Sequence, residues 1–247
     1  MKKSLSLRIK NAASSIAVEN LKAQHTYLHC ITPGNKEFGV IWTQREDTSW
    51  GHGDGRMYGI ENVKMYHVNH FDYKAYKNYI GLLREYPQVG GLDPHPLLEC
   101  PVHTLATDIV EVASDGMSAR SSHLTPGVLI SWLNPDGKRF GAGLWERYGT
   151  DYLYEDGQWL IHHDQVCPDS MFMLDRSSNW AAISYKRLRS GEHKPEPDSG
   201  RWGRNHPGWV HRMYSPVQLP QDTVSYPEPY DSFDFEDNYS TIPCVPC

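Results

Sequence analysis

Residues 102–166 read VHTLATDIVEVASDGMSARSSHLTPGVLISWLNPDGKRFGAGLWERYGTDYLYEDGQWLIHHDQV, and three Asp-Gly pairs divide the stretch: Asp115-Gly116, Asp136-Gly137 and Asp156-Gly157. Asp-Gly suits the two-residue type I′ turn, because both central residues of that turn need positive φ and its twist matches that of the strands it joins. The runs between the turns, 102–113, 117–133, 140–154 and 159–166, are rich in β-branched and aromatic residues. The spacing predicts an antiparallel meander of four strands.

Upstream the period changes. Residues 5–31 carry Ile9, Ala12, Ile16, Leu21 and Leu28 at roughly helical spacing, with no proline before Pro33. A short second helix is expected over 35–42 with Asn35 as its N-cap. Residues 48–53 read as a short strand closed by Asp54-Gly55. From Gly59 to Tyr86 the pattern is helical again, with Ile60, Val63, Tyr66 and His67 three or four residues apart and Pro87 ending it. Helices before the meander and none within it define an α+β domain, in which N-terminal helices cover one face of a curved sheet.

Downstream, from Arg176 onward, lie nine of the 17 prolines and ten aromatic residues, and residues 221–240 hold six acidic groups and no Lys or Arg. Disordered segments are poor in aromatics. The expected organisation is therefore an α+β barrel domain over 1–175 and an ordered, coil-rich extension over 176–247. That extension would pack on the barrel or on a neighbouring subunit, with only its last residues frayed.

The whole chain has 247 residues, 39% of them hydrophobic, a net charge of −6 and a mean hydropathy of −0.61. This composition excludes collagen-like, coiled-coil and wholly disordered chains. The acidic balance removes the footprint of a general nucleic-acid binder. No apolar run approaches the ~18–20 residues that cross a bilayer, and Arg8 and Lys10 interrupt any signal-like h-region, so a cytoplasmic protein is expected. Five cysteines, widely spread and odd in number, suit a reducing compartment, and Cys244-Val-Pro-Cys247 is half a zinc site without its second half.

Three stretches resemble the SnoaL-like branch of the nuclear transport factor two-like superfamily, which includes ketosteroid isomerase, scytalone dehydratase and bile-acid dehydratase. They are Asn20 to His29, Trp50 to Val63 with its Gly-His-Gly-Asp-Gly run, and the meander with His103 to Thr107, Val110 to Val112 and Tyr152 to Ile161. Together they cover roughly residues 16–170. The resemblance implies a cone-shaped barrel, a strongly curved sheet wrapped around the helices and enclosing an apolar pocket open at one end. It also implies association as a homodimer or homotrimer.

Candidate site residues follow from the same patterns. Alternation along the first meander strand puts His103 on one face with Leu105, Thr107 and Ile109, and along the second it groups Ala119, Ser121 and His123. Imidazole titrates near neutrality, so two of them facing one pocket could take a proton from carbon or give one to a leaving hydroxyl. The resemblance places a histidine of related dehydratases at His103 and a polar acid–base group near His123. On the first helix His25 stands where the resemblance implies a pocket tyrosine, with Cys30 where it implies an aspartate. A two-residue shift would put Tyr27 there instead and Thr32 at the acid. His25 and Tyr27 point about 200° apart, so one of them faces the pocket. Trp42, Trp50 and His52, near the first strand, are expected to contact substrate, together with Ser121 and His163. Alternation allows only one of His162 and His163 to face inward.

His25 and His29 are four apart but lack the neighbouring glutamate of a metallopeptidase helix. Phosphate loops, a serine elbow and dinucleotide fingerprints are absent from the sequence. Neither metal nor cofactor is therefore expected. The function expected is that of a cofactor-independent lyase or isomerase of dehydratase type, acting through pocket histidines on a hydrophobic cyclic small molecule such as a steroid, polyketide or polyphenol. The alternative is a non-catalytic binding or assembly protein of the same fold.

Overall fold

The computed structural model describes residues 4–31, 37–52, 55–67, 83–84, 87–89, 100–131, 140–173, 214, 219–220 and 224–241. Its elements are α1 (Leu5–Ile31), β1 (Ser49–His52), β2 (Gly55–Tyr58), a second helix α2 over 60–67, β3 (Cys100–His103), β4 (Ala106–Val112), β5 (Ser118–Ser131), β6 (Phe140–Glu155) and β7 (Gln158–Met173). The seven strands form one sheet in the order β2-β1-β7-β6-β5-β3, with β4 also on β5. Its pairs are antiparallel except β1 with β7, so the sheet is mixed.

Helix α1 has the predicted limits. Ser4 starts it by accepting the Leu7 N–H on Oγ and the Arg8 N–H on its carbonyl. Its buried stripe, Ser14, Val18, Leu21, Lys22 and His25, recurs every three or four residues and faces the concave side of the sheet. There Val18 and Leu21 join Phe38, Ile41, Trp42, Trp50, Met57, Ile60, Val63, Tyr66, Tyr148 and Tyr152 in one core.

The last turn of the meander has the expected form, with Asp156 at φ 50° and Gly157 at φ 83°. The first does not. At Asp115-Gly116 only the glycine has positive φ (71°), and the Asp115 carboxylate accepts the Met117 N–H. A longer loop with one left-handed residue therefore replaces the type I′ turn. Asp136-Gly137 lies outside the described residues.

Three further expectations are corrected. Residues 102–113 form two strands, β3 and β4, both on β5, because the chain leaves the ladder at Thr104–Leu105 and bulges at Thr107, whose φ is 53°. Residues 37–42 make one turn, then a single parallel bridge from Trp42 to Ile161, in place of a second helix; Asn35 lies outside the described residues. Gly55–Tyr58 is a strand paired with β1, too short between its glycines to show a period.

Residues 224–241 lie on the convex face of the sheet. Tyr239 sits over Gly149, where a Cβ would fall 2.5 Å from its ring, and its backbone N–H donates to Asp151. The Ser240 carbonyl accepts from Arg56 and Tyr58. Phe233 covers His162 and His163, and Arg120 stacks on Tyr230. Among the described residues no helix is long and apolar enough to cross a membrane.

Candidate functional site

The register of β5, β6 and β7 decides which side chains enter the cone. On β5 the inward set is Ala119, Ser121, His123 and Thr125; opposite them on β6 stand Glu146, Tyr148, Thr150 and Tyr152. On β7 a bulge opposite Asp151 and Tyr152 inserts one extra residue. Strict alternation from Trp159 and Ile161 would carry His163 inward. The bulge reverses the phase, so that His163 pairs with Asp151 on the convex face and Asp164 turns inward opposite Thr150.

Inside, two hydrogen-bonded groups face each other. The first belongs to the sheet. His123, 1% exposed, has Nδ1 2.8 Å from Asp108 Oδ1 and Nε2 2.6 Å from Ser121 Oγ, and Ser121 Oγ is 2.8 Å from the Tyr152 hydroxyl. Burial lowers the His123 pKa, and the hydrogen bond to Asp108 only partly opposes this, so the imidazole is neutral at pH 7. With Asp108 able only to accept, Nδ1 carries the proton, Nε2 accepts from Ser121, and Ser121 accepts from Tyr152. Burial raises the Tyr152 pKa well above its usual value and keeps the phenol protonated. Asp108 is the exposed end of this chain, its carboxyl held low by the His123 hydrogen bond.

The second group hangs from α1. Lys22 Nζ donates to Asp164 Oδ1 at 2.6 Å, and Thr150 donates to the same oxygen at 2.6 Å. His25 places Nδ1 2.5 Å from Glu37 Oε2 and Nε2 3.5 Å from Asp164 Oδ2. Lys22 also lies 4.7 Å above the Tyr148 ring. Lys22 and Asp164 are completely buried. Burial pulls the Lys22 pKa down, against the pull of Asp164. For Asp164 burial alone would raise the pKa, but Lys22, His25 and the hydrogen bonds outweigh it and hold the carboxylate ionised. Aromatic rings close the wall. Trp42 meets His25 edge-on at 5.8 Å, Trp50 stacks on Tyr66 at 4.8 Å, and His67 sits edge-on to Trp50 at 4.9 Å.

The structure thus brings together His25, His123, Ser121, Trp42 and Trp50. His103 lies beyond them, 3.3 Å from Glu146 and edge-on to Tyr148; the bulge at Thr107 puts it out of phase with Ile109, which is 42% exposed. His52 is stacked on Trp50 at the end of β1. Tyr27 is 64% exposed on the far side of α1, and His163 binds Ser49 at 2.9 Å on the convex face; neither enters the cone.

Sequence reasoning missed Lys22, Glu37, Asp108, Tyr152 and Asp164. A lysine in register with Val18, Leu21 and His25 on an amphipathic helix was a visible signal, because a cation on the buried stripe needs a buried anion. Asp108 and Asp164 gave no such signal, since each owes its direction to a bulge. Among the described residues no group of three or more His, Cys, Asp or Glu side chains is arranged to hold a metal ion.

No family model and no curated protein matches the chain. Among solved structures it is similar to a scytalone dehydratase-like protein from Novosphingobium aromaticivorans, at 12% identity and a TM-score of 0.47, covering 70% of this chain and 95% of that one. It is also similar to the hexachlorocyclohexane dehydrochlorinase LinA-type3 from Novosphingobium barchaimii, at 15% identity and a TM-score of 0.43, covering 68% and 95%. A third likeness is to a calcium/calmodulin-dependent protein kinase II association-domain protein from Xanthomonas campestris, at 14% identity and a TM-score of 0.39, covering 60% and 83%. The fold of this chain is an α+β cone, a curved mixed sheet with the N-terminal helices on its concave side.

Proposed function

We propose that the inner cluster is the catalytic centre of a cofactor-independent lyase or isomerase of dehydratase type, acting on a hydrophobic cyclic small molecule such as a steroid, polyketide or polyphenol. The observation that carries this reading is the Asp108–His123–Ser121–Tyr152 chain. It joins a neutral, buried imidazole with a free-base Nε2 to an exposed carboxylate on one side and a protonated phenol on the other. A proton leaving the carbon α to a carbonyl passes to Ser121 Oγ as the hydroxyl proton moves to His123 Nε2. The resulting imidazolium is held by Asp108. Lys22 donates a hydrogen bond to the enolate oxygen while Tyr152 keeps its bond to Ser121 Oγ, and a β-hydroxyl departs as water with a proton from His25. Trp42, Trp50 and Tyr66 supply flat apolar surface for a ring.

Asp108, His123 and Ser121 also have the connectivity of a nucleophilic triad. Ser121, however, lies within the sheet, paired with Val110 on one side and Thr150 on the other. Its backbone is committed to the ladder rather than to an oxyanion, so proton transfer is favoured over acyl transfer.

The test is hydrogen–deuterium exchange at the α-carbon of cyclic ketones in D2O, followed by NMR. The wild type should exchange one ketone of a panel faster than buffer. His123→Gln should lower that rate by about 10²–10⁴-fold, the usual worth of a general base, and Asp108→Asn by less. An unchanged rate in His123→Gln would refute the assignment. The packing of Phe38, Trp42, Trp50 and His67 against one another favours a second reading, a binding or assembly protein whose cone is filled by its own side chains. Absence of exchange across the panel, with the fold intact, would favour it.

A further inference from the structure

A cleft of about 530 Å³ lies at the end of the sheet that carries the Asp115-Gly116 and Asp156-Gly157 turns, and no residue of the inner cluster lines it. One wall is a stripe of α1 running Lys10, Ser14, Ala17, Leu21 and Gln24; the other carries Val40, Tyr154, Gln158 and Trp159. The space exists because the helix stripe is small in its middle, at Ala13, Ser14 and Ala17. Its volume is within the ~300–1,000 Å³ usual for ligand pockets.

Three features of this cleft contrast with the cluster inside the cone. Among the described residues the side chains of Lys10, Ser14, Gln24, Tyr154 and Gln158 make no hydrogen bond or ion pair, whereas inside the cone lysine, serine and tyrosine are all engaged. In a chain of net charge −6 the lining has one cation and no acid. Lys10 reaches across to the turn at Gly116, yet the neighbouring Asp115 carboxylate is turned to the Met117 N–H. Tyr154 and Trp159 present a tilted aromatic pair, their centroids 5.2 Å apart.

We infer that this cleft is a second ligand site, separate from the cone, for a planar aromatic carboxylate. The ring lies against Tyr154 and Trp159, over the helix gap at Ala13 and Ala17. The carboxylate pairs with Lys10 and accepts from Ser14, Gln24 or Gln158, all donors without another partner among the described residues. Acid-free lining and an unpaired ammonium select the anion over its neutral isostere.

The experiment is isothermal titration of the full chain with 2-naphthoate and with its neutral isostere 2-naphthamide. The expected result is one saturable naphthoate site, with naphthamide at least about fivefold weaker, the worth of roughly 1 kcal/mol. Lys10→Gln should abolish the preference. Ala17→Leu, an exposed helix position where leucine is tolerated, should fill the gap and lose both ligands. Tyr152→Phe, inside the cone, should leave the naphthoate Kd within about twofold; an equal loss in that variant would place the ligand in the cone and overturn the inference. So would naphthamide binding as tightly as naphthoate, retention of naphthoate by Ala17→Leu, or no saturable naphthoate binding. Each of these results leaves the exchange test of His123 untouched.

Discussion

The concave and convex faces of one sheet bury charge in different ways. Inside, carboxylates of β7 and β4 are matched to bases of α1 and β5: Asp164 to Lys22 and His25, Asp108 to His123. Outside, Asp151 meets Arg120, Asp169 meets Arg147, and residues 224–241 lie over them. On the inner face a helix supplies the partners of Asp164, and the strand pair Asp108–His123 leaves a neutral imidazole beside Ser121 and Tyr152. On the outer face the charges hold down a covering segment, and His162 and His163 are pushed neutral beneath Phe233, each hydrogen-bonded to a hydroxyl, His162 to Thr43 and His163 to Ser49. Burial alone therefore does not mark the site. What sets the inner series apart is that it ends on a phenol within the aromatic core of the cone.

The largest effect should come from breaking the inner pair. Asp164→Ala leaves the Lys22 ammonium buried without its anion, and urea unfolding should show a loss of about 3–5 kcal/mol. If the protein loses less than 1 kcal/mol, Lys22 reaches water and the inner face is not closed as described.

The outer face should answer to pH. Burial raises the Asp151 carboxyl to about 7, so the folded state holds a proton there that the unfolded state releases near 4. This contribution falls as pH rises from about 4 to about 7. Burial also lowers His162 to about 4, and that contribution rises with pH between about 4 and 6.5. The two oppose each other in the wild type. Asp151→Asn removes the falling one, so its stability relative to wild type should climb across this window, on the order of a few kcal/mol. A constant difference from pH 4 to 7.5 would contradict the buried placement of Asp151.

Smaller still, Gly149→Ala puts a methyl group into the Tyr239 ring and should cost about 1–3 kcal/mol. It should also speed proteolysis within 224–241 while leaving the His123 environment unchanged. Arg45→Ala, at a pair about 40% exposed on both sides, should change stability by ~0.2–1 kcal/mol, less in high salt.

Much of this arrangement could be read from the sequence. The Asp-Gly spacing gave the long strands, the absence of proline gave α1 its limits, and alternation alone put Ser121 and His123 on one face. His25 was separable from Tyr27 by angle, and the structure buries the first and exposes the second. What failed shares one cause. The bulges at Thr107 and at His162 each shift the phase of a strand by one residue, and such a shift moves every later side chain to the other face. Asp108 and Asp164 are inward for that reason and His163 is outward. Each bulge depends on how two distant strands pair, which no local pattern records.

The central claim is that His123 is a neutral base, protonated on Nδ1 toward Asp108 and accepting on Nε2 from Ser121. Nitrogen-15 chemical shifts of the His123 ring, followed from pH 8 to pH 5.5, test it directly. A protonated Nδ1 and an unprotonated Nε2 are expected at pH 7 and above, with any titration of the ring lying below the usual imidazole range. An imidazolium at pH 7, or a proton resident on Nε2, would contradict it.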